Sequence, residues 1–145
     1  YSFAVELEGW GIGINYPGFA IKYCFGTNIL ELRSQNVSEG TELDSKQTNL
    51  TGLRYYKYGL INETILYYLG GEISYFKYQN KETTFNADGF VTGIFIGIEK
   101  FFLQKFSINI DVGPYYAMAF RGSSSTELSD IVMNATVNYY FKGLR

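Results

Sequence analysis

Residues 105–121 read Lys-Phe-Ser-Ile-Asn-Ile-Asp-Val-Gly-Pro-Tyr-Tyr-Ala-Met-Ala-Phe-Arg. Every even position (Phe106, Ile108, Ile110, Val112, Pro114, Tyr116, Met118, Phe120) is apolar or aromatic. The odd positions Ser107, Asn109, Asp111, Gly113, Ala117 and Ala119 are small or polar. A period of two sends successive side chains to opposite faces of a β-strand. Strands in soluble domains usually run about 5–6 residues, whereas a tilted strand needs about 9–11 to cross a bilayer. This stretch sustains its alternation well beyond the first figure. It predicts an all-β chain and, more specifically, a transmembrane barrel.

The same period recurs along the chain and predicts eight strands. The first spans Ser2–Ile14, with its phase slipping around Gly9-Trp10-Gly11-Ile12-Gly13, where a bulge or glycine kink would absorb the slip. A tight Asn15-Tyr16-Pro17-Gly18 turn leads to a second strand, Phe19–Phe25, and Gly26-Thr27-Asn28 turns into a third, Ile29–Ser34. Residues 35–47, polar and acidic, predict a long loop. Strands four and five, Thr48–Tyr58 and Thr64–Tyr78, are joined by the short link Gly59–Glu63. Gln79–Ala87 predicts a second long loop before strand six, Asp88–Phe101. Phe102–Gln104 connects to strand seven, and the serine-rich Gly122–Ser129 predicts a third long loop before strand eight, Asp130–Lys142. Short links on one rim and long ones on the other, the tight Asn15–Gly18 hairpin being the one exception, give the asymmetry of an outer-membrane barrel, whose short turns and chain ends are periplasmic.

Bulk composition narrows the classes. The chain has 145 residues, enough for one domain, and no run of 18 apolar residues for a membrane helix. Aromatics reach 19%, with 14 Tyr and 12 Phe, which suits strands anchored at membrane interfaces. A net charge of −2 without a basic stripe argues against nucleic acid as a partner. No histidine is present, so Ser-His-Asp, Cys-His and His-metal chemistry is absent, and the lone Cys24 cannot close an intramolecular disulfide. Tyr1 opens directly on strand-like sequence, the pattern of a mature chain after removal of a signal peptide.

Alternation alone fits both a soluble calyx, apolar inside, and a membrane barrel, polar inside. The polar face decides for the second. It carries Lys22, Glu31, Arg33, Arg54, Glu72, Glu99 and Asp111, with Glu6 or Glu8 joining them. Mixed signs among Gly, Ala, Ser, Thr and Asn suit pairing across a narrow interior. Aromatics group at both strand ends: Phe25, Tyr56, Tyr58, Tyr67, Tyr68, Phe101, Phe102, Phe106, Tyr139, Tyr140 and Phe141 near the short turns, and Tyr16, Phe19, Tyr75, Tyr78, Phe90, Tyr116 and Phe120 opposite. These predict two interfacial girdles.

Several marks carry a resemblance. They are the Gly-rich first strand with Asn15-Tyr-Pro-Gly18, Gly52-Leu-Arg-Tyr-Tyr56, Leu69-Gly-Gly-Glu72, Asp111-Val-Gly-Pro114 and Asn138-Tyr-Tyr-Phe141. Together the chain resembles small eight-stranded outer-membrane proteins of the OmpX/OmpA type. Lys142-Gly-Leu-Arg145 departs from that pattern by following the terminal aromatic. The Ile, Asn, Lys and Tyr content also resembles the small integral barrels of Lyme-disease spirochaetes. That resemblance implies contact with host proteins, including complement factor H.

No catalytic pairing, metal set or cofactor motif emerges, so the expectation is a non-enzyme without cofactors. The lumen charges are expected to form a structural plug, with a narrow channel as the alternative and a soluble lipocalin-like ligand-binding barrel as another. The candidate partner-binding loop residues are Glu39, Glu42, Asp44, Lys46, Lys81, Glu82 and Glu127. Their acidic balance would attract basic surfaces on host or environmental proteins. The expected assembly is a monomer in lipid, loops at the cell surface.

Overall fold

A computed structural model describes residues 7–15, 17–39 and 46–143, with the side chain of Glu39 excepted. These residues form eight antiparallel strands: β1 Gly9–Asn15, β2 Gly18–Phe25, β3 Asn28–Glu39, β4 Lys46–Asn62, β5 Ile65–Asn80, β6 Phe85–Leu103, β7 Phe106–Arg121 and β8 Ser124–Tyr140. Each pairs with its sequence neighbour, and β1 returns to β8 to close an up-and-down barrel. The residues before Leu7, which include Glu6 and the predicted start of the first strand, lie outside those described, as does Tyr16.

Side chains alternate about the wall. Along β7, Ser107, Asn109, Asp111 and Tyr115 are buried in the bore, while Phe106, Ile108, Ile110 and Val112 are exposed outside. Along β6, Ile94, Ile96 and Ile98 are outward and 63%, 59% and 52% exposed, whereas Phe95 and Glu99 between them are 1% exposed. The barrel is therefore inverted relative to a soluble calyx: its charges are inside and its aliphatic residues outside.

Glycines let rings into the narrow bore. Tyr140 lies over Gly11, Tyr68 over Gly97 and Tyr115 over Gly93, each pair being direct register partners. A Cβ on Gly93 would fall 2.5 Å from Tyr115 Cδ1, so only glycine gives that ring its seat. Gly9 has φ +89° where regular β1 begins, placing a backbone irregularity within the region of the expected phase slip. Pro114 has no N–H to donate, and the β6–β7 register runs from Tyr115↔Gly93 to Val112↔Ile96 without pairing the residues between.

The predicted long loops are largely strand. β3 runs to Glu39 and β4 starts at Lys46; between them, residues 40–45, including Glu42 and Asp44, lie outside the description. Between β5 and β6 only Lys81–Thr84 turn, with Asn80 Oδ1 accepting from the Glu82 and Thr83 amides at 3.0 and 3.4 Å. Between β7 and β8 only Gly122 and Ser123 turn. The reason is that the tips of β3–β4 and β7–β8 are wet on both faces, so the ladder continues there without hydrophobic alternation, whereas β5–β6 keeps Phe76, Tyr78, Phe85 and Ala87 on its inner side.

The girdle expectation also needs correction. Tyr56, Tyr58, Tyr68, Phe101 and Tyr140 are buried inside rather than on the outer wall. Period two splits the doublets Tyr55-Tyr56, Tyr67-Tyr68, Phe101-Phe102 and Tyr139-Tyr140, sending one ring out and its neighbour in. Tyr78 likewise lines the inner side of the rim.

Candidate functional site: the charged lumen and the hairpin rim

The bore is floored by an apolar cluster at the short-turn end, where Leu7, Cys24, Ile29, Tyr58, Leu66, Phe101 and Tyr140 pack together with Tyr56, Tyr68 and Phe95. Tyr58 ties the floor to the wall: its hydroxyl donates to the Gly26 carbonyl at 2.8 Å and accepts from the Leu7 amide at 2.7 Å. Charges sit above. Lys22, Glu31, Arg33, Arg54, Glu72, Glu99 and Asp111 are all 5% exposed or less, and all face the bore.

Arg54 is the hub. Its guanidinium reaches Asp111 at 2.9 Å, Glu72 at 3.3 Å and Glu31 at 3.4 Å, and its plane lies 3.7 Å from the Phe95 ring centre. Glu31 also pairs with Lys22 at 3.4 Å, and Glu72 with Arg33 at 2.5 Å. Neutral donors complete the carboxylates. Tyr56 donates to Glu31 at 2.9 Å, Tyr115 to Glu72 at 2.9 Å and Tyr68 to Asp111 at 3.2 Å. Asn134 gives Asp111 another bond at 2.9 Å, and Ser74 adds one to Glu72. A buried ion pair persists when its remaining polar atoms are satisfied, since desolvation otherwise outweighs the attraction.

Six of the seven predicted lumen charges therefore join one continuous network, and Glu99 stands apart. Its Oε1 accepts from Tyr140 at 2.8 Å, Asn138 at 3.0 Å and Ser107, with no cation paired to it among the described residues. It connects to the hub only through neutral groups. Asn138 donates to Asn109 at 2.9 Å, Asn109 donates to Tyr68 at 2.6 Å, and Tyr68 reaches Asp111. Sequence reasoning missed Tyr56, Tyr68, Tyr115, Tyr140, Asn109 and Asn138 as members. Their parity with Arg54, Glu72, Asp111 and Thr136 along the same strands is the available signal.

The predicted rim residues do not form one cluster. Glu39 and Lys46 are register partners at the β3–β4 tip, and Lys46 pairs onward with Asn80 beside Lys81 and Glu82 in the next turn. Glu127 lies on β8, opposite Met118 of β7. The wall here is incomplete. Among the described residues β1 pairs with β8 only over Gly11–Ile14 and Val137–Tyr140, so β8 from Ser124 to Thr136 has β7 on one edge and no ladder to β1 on the other.

No protein-family model, curated protein or solved structure matches the chain. The fold rests on its own geometry. It is a closed antiparallel all-β ring, compatible with a small β-barrel.

Proposed function

We propose that this chain is an integral barrel of a bacterial outer membrane. Its turn rim faces the periplasm, its hairpin rim meets host or environmental proteins outside, and its charged lumen is closed. The observation that carries the reading is the inversion of faces: mixed charges buried at the centre and Ile, Leu and Val exposed around the waist. Soluble monomers rarely expose a contiguous apolar patch beyond a few hundred Å², whereas lipid makes such a band the stable choice. Outward Trp10, Tyr23, Phe25, Tyr67, Phe102 and Phe106 toward one limit and Phe19, Phe90 and Phe120 toward the other suit the two interfaces. The interior of an eight-stranded barrel is just wide enough for side chains to fill, which supports a plug over a pore. The OmpX/OmpA resemblance agrees with this architecture, and the projecting hairpins offer polar backbone and side chains to a partner.

The test is gel mobility of the chain refolded in detergent, with and without boiling. A fast band that slows on heating, and aggregation once detergent is removed, is the expected result. A detergent-independent monomer without a shift would overturn the membrane reading. Discrete steps in planar-bilayer recordings would overturn the closed lumen alone.

A further inference from the structure

The hairpin rim holds a cleft that the charge network does not use. Above the short β1–β2 hairpin, strands β4 to β8 curve around a concavity of about 590 Å³, within the usual size of small-molecule sites. Its inner wall includes Thr48, Phe76, Tyr78, Phe85 and Ala87. Tyr78 meets the Phe85 ring at 5.8 Å with planes 70° apart, and the Arg121 guanidinium lies over the Phe85 ring at 4.3 Å.

Arg121 differs from the arginines below it. Arg33 and Arg54 are each paired with carboxylates, whereas among the described residues none pairs with Arg121. Asp88, on the outward face of β6, accepts a hydrogen bond from the Tyr75 hydroxyl at 2.9 Å. The cleft thus presents a guanidinium, unpaired among the described residues, beside aromatic faces. A guanidinium takes carboxylate, sulfonate or phosphate oxygens two at a time, and aromatic faces take a flat apolar body.

We propose that this cleft binds a small amphipathic organic anion, its charged head on Arg121 and its compact apolar body against Phe76, Tyr78 and Phe85. The ligand docks at the rim and does not traverse the barrel, because Ser74, Tyr115, Glu72 and Arg33 close the bore beneath it with exposures of 6% or less. The proposal does not rest on the membrane reading, since the same residues form the cleft whatever surrounds the outer wall.

The experiment is saturation-transfer NMR of naphthalene-2-sulfonate with the full chain in lipid nanodiscs, empty nanodiscs being subtracted. Saturable transfer is expected. Arg121→Gln should weaken it at least about tenfold, the loss of a charge-assisted hydrogen bond, and Phe85→Leu about threefold or more. Neutral 2-methylnaphthalene should bind more weakly than the sulfonate, and Lys57→Gln, on the outer wall near the opposite rim, should change nothing. Transfer no greater than in empty nanodiscs, or equal binding by Arg121→Gln, would overturn the proposal. Heat-shifted gel mobility of each variant separates lost binding from lost folding. A chain that stays monomeric without lipid can be titrated in buffer, so failure of the membrane reading leaves this test intact.

Discussion

The lower and upper halves of this barrel are built from the same strands in different surroundings. In the lower half each strand has a partner on both edges, and its two faces differ: β7 buries Ser107, Asn109 and Asp111 while Phe106, Ile108 and Ile110 stand exposed. In the upper half the sheet is open, and every residue of β8 from Ser124 to Asp130 is exposed. The backbone ladder is continuous through both. Alternation in sequence is therefore the record of two unlike environments, and it fades where both faces meet water although the strand does not end.

If that contrast is right, the largest losses come from the lower half. Arg54→Ala leaves Asp111 without a cation in the bore and takes one of two from Glu31 and Glu72, and should cost about 3–5 kcal/mol, read as denaturant unfolding in lipid vesicles followed through Trp10, the only tryptophan. A loss below about 1 kcal/mol would break the comparison, because the lumen charges would then contribute little to holding the ring. Gly93→Val forces a branched side chain under the Tyr115 ring and should cost about 1–3 kcal/mol by overpacking, measured in the same way.

Glu99→Gln sharpens the distinction inside the lower half. The three donors on Oε1 are neutral and glutamine keeps an acceptor there, so the change should stay within about 1 kcal/mol of wild type. A cost near that of Arg54→Ala would mean that Glu99 is electrostatically part of the hub. Smallest is Leu128→Ser in the upper half, expected within about 0.5 kcal/mol because the side chain is 66% exposed. Trypsin should cut first at Lys81 in the β5–β6 turn, read by mass spectrometry of vesicle-held protein. Earlier cleavage at Arg54 would contradict the sealed lower ring.

Much of this was legible in the sequence, and the comparison explains which parts. The eight strands, their order and the inward placement of Lys22, Arg54 and Asp111 follow from period two, because those residues lie where the faces differ most. The hairpin extensions 35–39 and 124–129 read as loops because wet strands carry no such contrast. Tyr56, Tyr68 and Tyr140 read as outer-girdle residues because aromatic doublets look alike in composition and separate only by parity. The convergence of Glu31, Glu72 and Asp111 on one guanidinium depends on register across β3, β4, β5 and β7, which no single strand encodes. Arg121, at the end of the stretch that decides the fold, gave no sign of its cleft because Tyr78 and Phe85 come from other strands.

The seam between β1 and β8 has a kinetic consequence. All other neighbours are joined by turns or hairpins, but Gly11–Ile14 must find Val137–Tyr140 across nearly the whole chain. Contacts so distant in sequence bear the full loop-closure entropy and form slowly. The shortest ladder among the described residues should therefore be the last to zip, and an assembly intermediate would be a curled sheet of β2 to β8 with its first strand still free.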